Sequence, residues 1–384
     1  MSVTFAQGFR AAGVTAGLKA SGKPDVALVV NDGPIHVSAG VFTSNRIQAA
    51  PVQWSKQAAP AGAFKAVILN SGGANACTGP EGYADTKATA EHVAQLLGVT
   101  ANDIAVCSTG LIGKRLPMDR LLSGVSTAHA ELNSDGGQAA ATAIMTTDSV
   151  SKTAHFESSA GWRVGGMAKG AGMLAPGLAT MLVVITTDAV VDAQALDAAL
   201  RAATNSTFDR IDSDGCMSTN DTVLLLSSGA SERVPDESEF AHAVHAVSAD
   251  LARQLIGDAE GATKDIKIVV TSAASESDAV EVARAVSRSN LLKCAIHGED
   301  PNWGRVLSAL GTTQAAFDAD AIDVAFNSVA VCRNGSALAQ EPVVDLAGRE
   351  VTIEINLNAG SSEVTLWTND LTAMYVHENS AYST

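Results

Sequence analysis

The stretch Gly165–Asp188, GGMAKGAGMLAPGLATMLVVITTD, constrains this chain more than any other. Gly165, Gly166, Gly170, Gly172, Pro176 and Gly177 crowd together just before the run Met181-Leu182-Val183-Val184-Ile185. Glycine tolerates positive φ and lets other groups come close, so this density predicts a loop with an unusual path. The run after it has the length and β-branched content of a buried strand. Thr180 stands where loop meets strand, and Lys169 shares the loop. Neither phosphate-loop pattern fits. No Gly-Lys-Ser/Thr occurs at Walker spacing, and Gly170-Ala171-Gly172 lacks the third glycine of a dinucleotide fingerprint. On spacing alone, Thr180 suits a strand entry and Lys169 a solvated position.

At 384 residues, 46% hydrophobic and 17% charged, the chain can bury a sizeable core in one large or two smaller domains. A formal charge of −16 argues against nucleic acid or an anionic membrane as the main partner. No apolar run approaches the ~20 residues of a membrane span. The start, MSVTFAQGFRAAG, lacks the apolar core of a secretory signal. Cys77, Cys107, Cys216, Cys294 and Cys332 stand singly with no CxxC pair. That usage suits reduced thiols in the cytoplasm, neither a disulfide framework nor a zinc site.

Strands are expected at Val26–Val30, around Val41-Phe42, at Ala66–Leu69, from Ile104, at Thr222–Leu226, Ile266–Val270, Val351–Ile355 and Val364–Trp367. Helices are expected from Asp85-Thr86 to Gly98, over Ala193–Ala203, from Pro235-Asp236 to Gly257 and over Asp278–Leu291. The tail DLTAMYVHENSAYST reads as a terminus that is ordered only if something ties it down. His242 and His245 sit three apart on a helix with no third ligand beside them, so a metal site is not expected.

Three polar segments could carry chemistry. Ser108-Thr109-Gly110 ends a strand with a hydroxyl beside a flexible amide, which suits an oxyanion site or a satisfied turn. Asp258-Ala259-Glu260-Gly261-Ala262-Thr263-Lys264, three charged and two small residues in a loop, suits a solvated turn by itself. His297 in Lys293–Arg305 invites a general-base reading.

KGAGMLAPGLATML resembles the self-cleavage segment of the ornithine acetyltransferase (glutamate N-acetyltransferase) family. AGLKASGKPDVALVV, AGVFTSNRIQAAPV, VILNSGGANACTG, the Met-Thr-Thr-Asp at Met145–Asp148, the Ser-Thr-Asn-Asp at Ser218–Asp221 and DPNWGR at Asp300–Arg305 extend the likeness from about Gly13 to Thr384. Cys216 and Asn369 depart from the family pattern, as do Ser380 and Ser383.

The resemblance implies an α/β fold with two domains of layered mixed sheets and helices, of the self-processing N-terminal-nucleophile kind. It implies a cut between Ala179 and Thr180. Residues 1–179 then form an α chain, and residues 180–384 a β chain that completes the first domain and forms the second. Thr180 would be the nucleophile and, as a new N-terminus, bring its own base, which sets His297 aside; Thr109 and Gly110 would be the oxyanion hole. Thr146, Lys169, Thr180, Glu260, Asn379 and Thr384 would bind substrate. The implied reaction moves the acetyl group of N2-acetyl-L-ornithine to L-glutamate by a ping-pong route through acetyl-Thr180, in arginine biosynthesis. No cofactor or metal is implied, and acetyl-CoA stays open as a second donor. The implied assembly is a cytoplasmic heterotetramer of two α and two β chains. The competing reading is a self-cleaving amidase or aminopeptidase, which would pass the acyl group to water.

Overall fold

The computed structural model describes residues 2–175 and 181–381. Ala179, Thr180 and Thr384 lie outside the described residues. The chain divides into two compact units, one of Met1–Asp209 with Cys216–Leu255, the other of Arg210–Gly215 with Ile256–Ser383.

The first unit runs β1 (Phe9–Val14), β2 (Val26–Asn31), β3 (Val37–Phe42), α1 (Ala50–Ala58), β4 (Ala66–Asn70), α2 (Gly79–Leu97), β5 (Ile104–Ser108), α3 (Met118–Ala130) and α4 (Gly137–Ala143). It continues through β6 (Lys152–Glu157), β7 (Arg163–Lys169), β8 (Leu182–Thr187), α5 (Ala193–Ser206), β9 (Thr222–Ser227) and α6 (Glu237–Gly257). Its strands make two sheets, ordered β1-β2-β4-β5 and β3-β9-β8-β7-β6. The parallel pairs β4–β5 and β8–β9 each need a crossover, supplied by α2 and α5.

Every residue of β2, β4, β8 and β9 is buried, which is why these strands read as continuous apolar runs. Leu28, Ile68 and Val106 pack outward against Val93 of α2 and Leu121 of α3. Val29, Val67 and Leu69 pack inward against Met167, Val184 and Leu224 of the other sheet. Beyond that sheet, Gly166 faces Val247 and Leu251 of α6. The layers are therefore helix, sheet, sheet, helix, each sheet burying both faces.

Gly165 and Gly166 were expected in a loop; they lie inside β7. A Cβ on Gly165 would stand 2.3 Å from the Ser2 carbonyl oxygen, so glycine here permits close approach, not a turn. α2 starts at Gly79 with a proline in its first turn, ahead of the expected Asp85, and Gly98 closes it in the left-handed conformation.

The second unit runs β10 (Asp265–Ala273), α7 (Glu276–Ser287), α8 (Asn290–His297), α9 (Trp303–Leu310), β11 (Asp323–Phe326), β12 (Val329–Arg333), β13 (Ser336–Ala337), β14 (Glu350–Asn356), β15 (Ser362–Asn369) and α10 (Ala373–Ala381). Its sheet is ordered β13-β12-β11-β14-β10-β15. Ile266, Ile268, Ile353 and Ile355 alternate onto a face covered by Val282, Ile296 and Val306 of the three helices. The single helix expected over Asp278–Leu291 is two, because Ser289 accepts the Leu292 amide at 3.3 Å and starts α8 anew. The tail, expected to be ordered only if tied down, carries α10.

Candidate active site

The first unit gathers Thr109, Gly110, Thr146 and Lys169. β4 and β5 run parallel and end side by side at Asn70 and Ser108, where a crevice at strand carboxyl ends is the usual ligand site of such sheets. The Thr109 amide donates to the Asn70 carbonyl at 3.0 Å, and Asn70 Nδ2 donates to Ser108 Oγ at 2.7 Å. Gly110 has φ +132°, and a Cβ on it would stand 2.9 Å from the Gly73 nitrogen. Two glycine turns therefore meet back to back, and only glycine fits. Thr109, 2% exposed, accepts a hydrogen bond from Lys169 Nζ at 3.2 Å. Lys169, expected from spacing alone to be solvated, is itself 2% exposed at the end of β7.

Asp148 organises the surroundings of Lys169. Its Oδ1 accepts from Lys152 Nζ at 2.7 Å and from the Gly170 amide at 2.6 Å; its Oδ2 accepts from the Thr146 amide at 2.9 Å. Burial works to raise its pKa, but the Lys169 and Lys152 ammonium groups and the Thr146 amide outweigh that and hold it at about 2. Lys19 Nζ donates to the Met145 carbonyl at 2.6 Å, next to Thr146. Burial, reinforced by Lys169, lowers the Lys19 pKa to about 8 despite Asp25 and Asp148. The site is thus a partly buried cationic lobe beside two polar turns.

Two residues that shape this lobe carried no sequence-level role. Asn220 Nδ2 donates to the Ser108 carbonyl at 2.7 Å and the Ala74 carbonyl at 2.6 Å, fastening both turns. Asp221 Oδ1 accepts the Met181 amide at 3.1 Å, one residue past the expected cleavage point. Burial pushes the Asp221 carboxyl well above the ordinary range, and among the described residues its Oδ2 has no hydrogen-bond partner. The available signal was the pair of polar residues directly ahead of the fully buried β9.

The second unit brings together Glu260 and Asn379, whose Nδ2 donates to Glu260 Oε2 at 3.0 Å. His297 Nδ1 pairs with Asp370 Oδ2 at 2.9 Å. His242 packs edge-on against Phe156 in the first unit. Among the described residues no cysteine forms a disulfide. Among the described residues no helix is long and apolar enough to cross a membrane.

The ArgJ family model matches residues 10–384. This chain belongs to the ArgJ family. The arginine biosynthesis bifunctional protein ArgJ of Streptomyces avermitilis is 65% identical over 383 residues, covering 100% of both chains. The ArgJ protein of Thermobifida fusca is 61% identical over 384 residues, again across 100% of both. Among solved structures, the ornithine acetyltransferase of Mycobacterium tuberculosis complexed with ornithine shares 56% identity over 47% of this chain and 96% of that one, at a TM-score of 0.45. Membership of the ArgJ family makes the chain an acetyltransferase of arginine biosynthesis and favours that reading over a self-cleaving amidase.

Proposed function

We propose that this ArgJ protein cuts itself between Ala179 and Thr180, and that Thr180 then carries acetyl from N2-acetyl-L-ornithine to L-glutamate. The observation that supports this most is the register of β7 and β8. Lys169 pairs with Leu182, so the strand that begins just past the scissile bond lies across from the ammonium that reaches Thr109. An alkyl hydroxyl is a weak nucleophile and needs a base beside it. The α-amine freed by cleavage titrates near pH 7.7–8.0, so an N-terminal threonine carries both groups.

In the first half-reaction the Thr180 hydroxyl adds to the acetyl carbonyl while Thr109 and the Gly110 amide hold the oxyanion. Collapse expels ornithine and leaves acetyl-Thr180. Glutamate's amine then takes the acetyl group and the hydroxyl is restored. Thr146, Lys169, Glu260, Asn379 and Thr384 hold the substrates, and no cofactor or metal takes part. Acetyl-CoA as a second acetyl donor accords with the word bifunctional in the relatives' names. The assembly is two α and two β chains in the cytoplasm.

Thr180→Ala tests the central step. It should give one uncut chain by intact-mass measurement and no acetyl transfer, while Thr180→Ser should cut and turn over at a reduced rate. Transfer by the alanine variant would overturn the reading.

A further inference from the structure

Asp370, between β15 and α10, has no exposed side-chain surface. Its Oδ1 accepts the amides of Thr263 at 2.8 Å and Lys264 at 2.9 Å. Its Oδ2 accepts the Thr263 hydroxyl and His297 Nδ1, the latter at 2.9 Å. Burial would raise its pKa, but these donors outweigh burial and keep the carboxylate ionised. Four donors from two separate segments thus converge on one anion, and charge-assisted hydrogen bonds of this kind hold geometry more firmly than neutral ones.

What Asp370 holds is the base of the Glu260 loop. Thr263 lies three residues past Glu260, and the Ala262 amide closes a turn onto the Ala259 carbonyl at 3.0 Å. The Lys264 side chain anchors the same point by donating to the Leu346, Ala347 and Gly348 carbonyls. Two residues beyond Asp370, Thr372 Oγ1 donates to the Gly261 carbonyl at 2.7 Å and accepts the Tyr375 amide at 3.0 Å. Gly261 has φ +65°, and a Cβ on it would stand 2.3 Å from the Tyr375 nitrogen. The first turn of α10 is therefore seated directly on the Glu260 loop. One turn farther along that helix, Asn379 reaches Glu260.

We infer that Asp370 is a positioning residue that fixes the Glu260–Asn379 pair for the side-chain ammonium of the acetyl donor. This rests on the reading of Glu260 as the carboxylate that meets that ammonium. Asp370 does not touch substrate itself. It sets where the loop and α10 stand, and so how well the enzyme tells an ammonium-bearing donor from one without it.

The test compares kcat/KM for N2-acetylornithine and for N2-acetylnorvaline, which has the same carbon chain without the amine. Glu260→Gln should lower the ratio of the two by roughly ten- to a hundredfold. Asp370→Asn keeps an acceptor for the two amides but turns donors toward Thr263 and His297. It should lower the ratio by roughly tenfold, with cleavage before Thr180 unchanged. The double variant should fall no further than Glu260→Gln alone, because both act through one contact. Gly261→Ala, which pushes α10 off the loop and alters no titratable group, should lower the ratio in the same way.

If Asp370→Asn depresses both substrates equally, Asp370 is only structural and the inference is overturned. The same holds if the ratio falls with Glu260→Gln but not with Asp370→Asn. A ratio unmoved by Glu260→Gln would remove the Glu260 reading itself, and the inference with it.

Discussion

Asp148 shows how one side chain can hold both the charge and the shape of a site. It joins a fully buried lysine, the amide before the Thr147-Asp148 turn and the amide after β7. Its folded pKa of about 2 lies below the ordinary aspartate value. The stability it contributes is therefore complete above the unfolded pKa, near 4, and is lost as the pH falls toward 2. That contribution is about 2 kcal/mol. Urea unfolding of the wild type followed from pH 6 to pH 2 should show the loss, and Asp148→Asn should show a flatter profile. At neutral pH Asp148→Asn should cost more, about 3–5 kcal/mol, because the buried Lys152 ammonium loses its carboxylate. Equal acid profiles for the two proteins would refute this account of Asp148.

The glycines of β7 matter at the scale of elements. Gly165 lies against the Ser2 backbone and Gly166 against Val247 and Leu251, so β7 is squeezed between the N-terminal segment and α6. Gly165→Val keeps strand propensity and even improves it. It should nonetheless destabilise the protein by about 1–3 kcal/mol through overpacking. Thermal unfolding measures the effect, and an unchanged or raised midpoint would mean that the strand can shift to make room. The same contacts explain why a glycine-rich stretch reads as loop from sequence. Nothing local distinguishes a glycine needed for a turn from one needed because another backbone passes close by.

Across the whole molecule, the expected cut would divide a sheet without dividing the core. In the order β3-β9-β8-β7-β6, strands β3, β6 and β7 precede Thr180 while β8 and β9 follow it. β9 pairs with β3 on one side and β8 on the other, so strands from both pieces interleave. Val67 and Met167 on one side of the cut share a cluster with Val184 and Leu224 on the other. Apolar burial of this extent keeps the pieces together without the peptide bond. After cleavage, residues 1–179 and 180–384 should co-elute under native conditions and separate only in denaturant. Fragments that separate without denaturant would contradict the interleaved sheet.

The sequence by itself determined those features whose cause is local. β2, β4, β5, β8 and β9 are apolar runs because each is buried on both faces, and α6 is readable from one periodic face with Asp236 before it and Gly257 at its end. The motif residues Thr109, Gly110, Thr146 and Lys169 were legible through a family resemblance, and the tertiary structure brings them into one lobe in which Thr109 and Lys169 are buried. Only the tertiary structure showed that Lys169 is buried on Thr109, that Asn220 fastens two turns and that Asp370 carries the Glu260 loop. Thr109 and Lys169 lie 60 residues apart, and Thr263 and Asp370 lie 107 apart. Periodicity reports how one element faces the core. It carries no information about which distant carboxylate or carbonyl will be waiting there, because that partnership exists only once the sheets have closed.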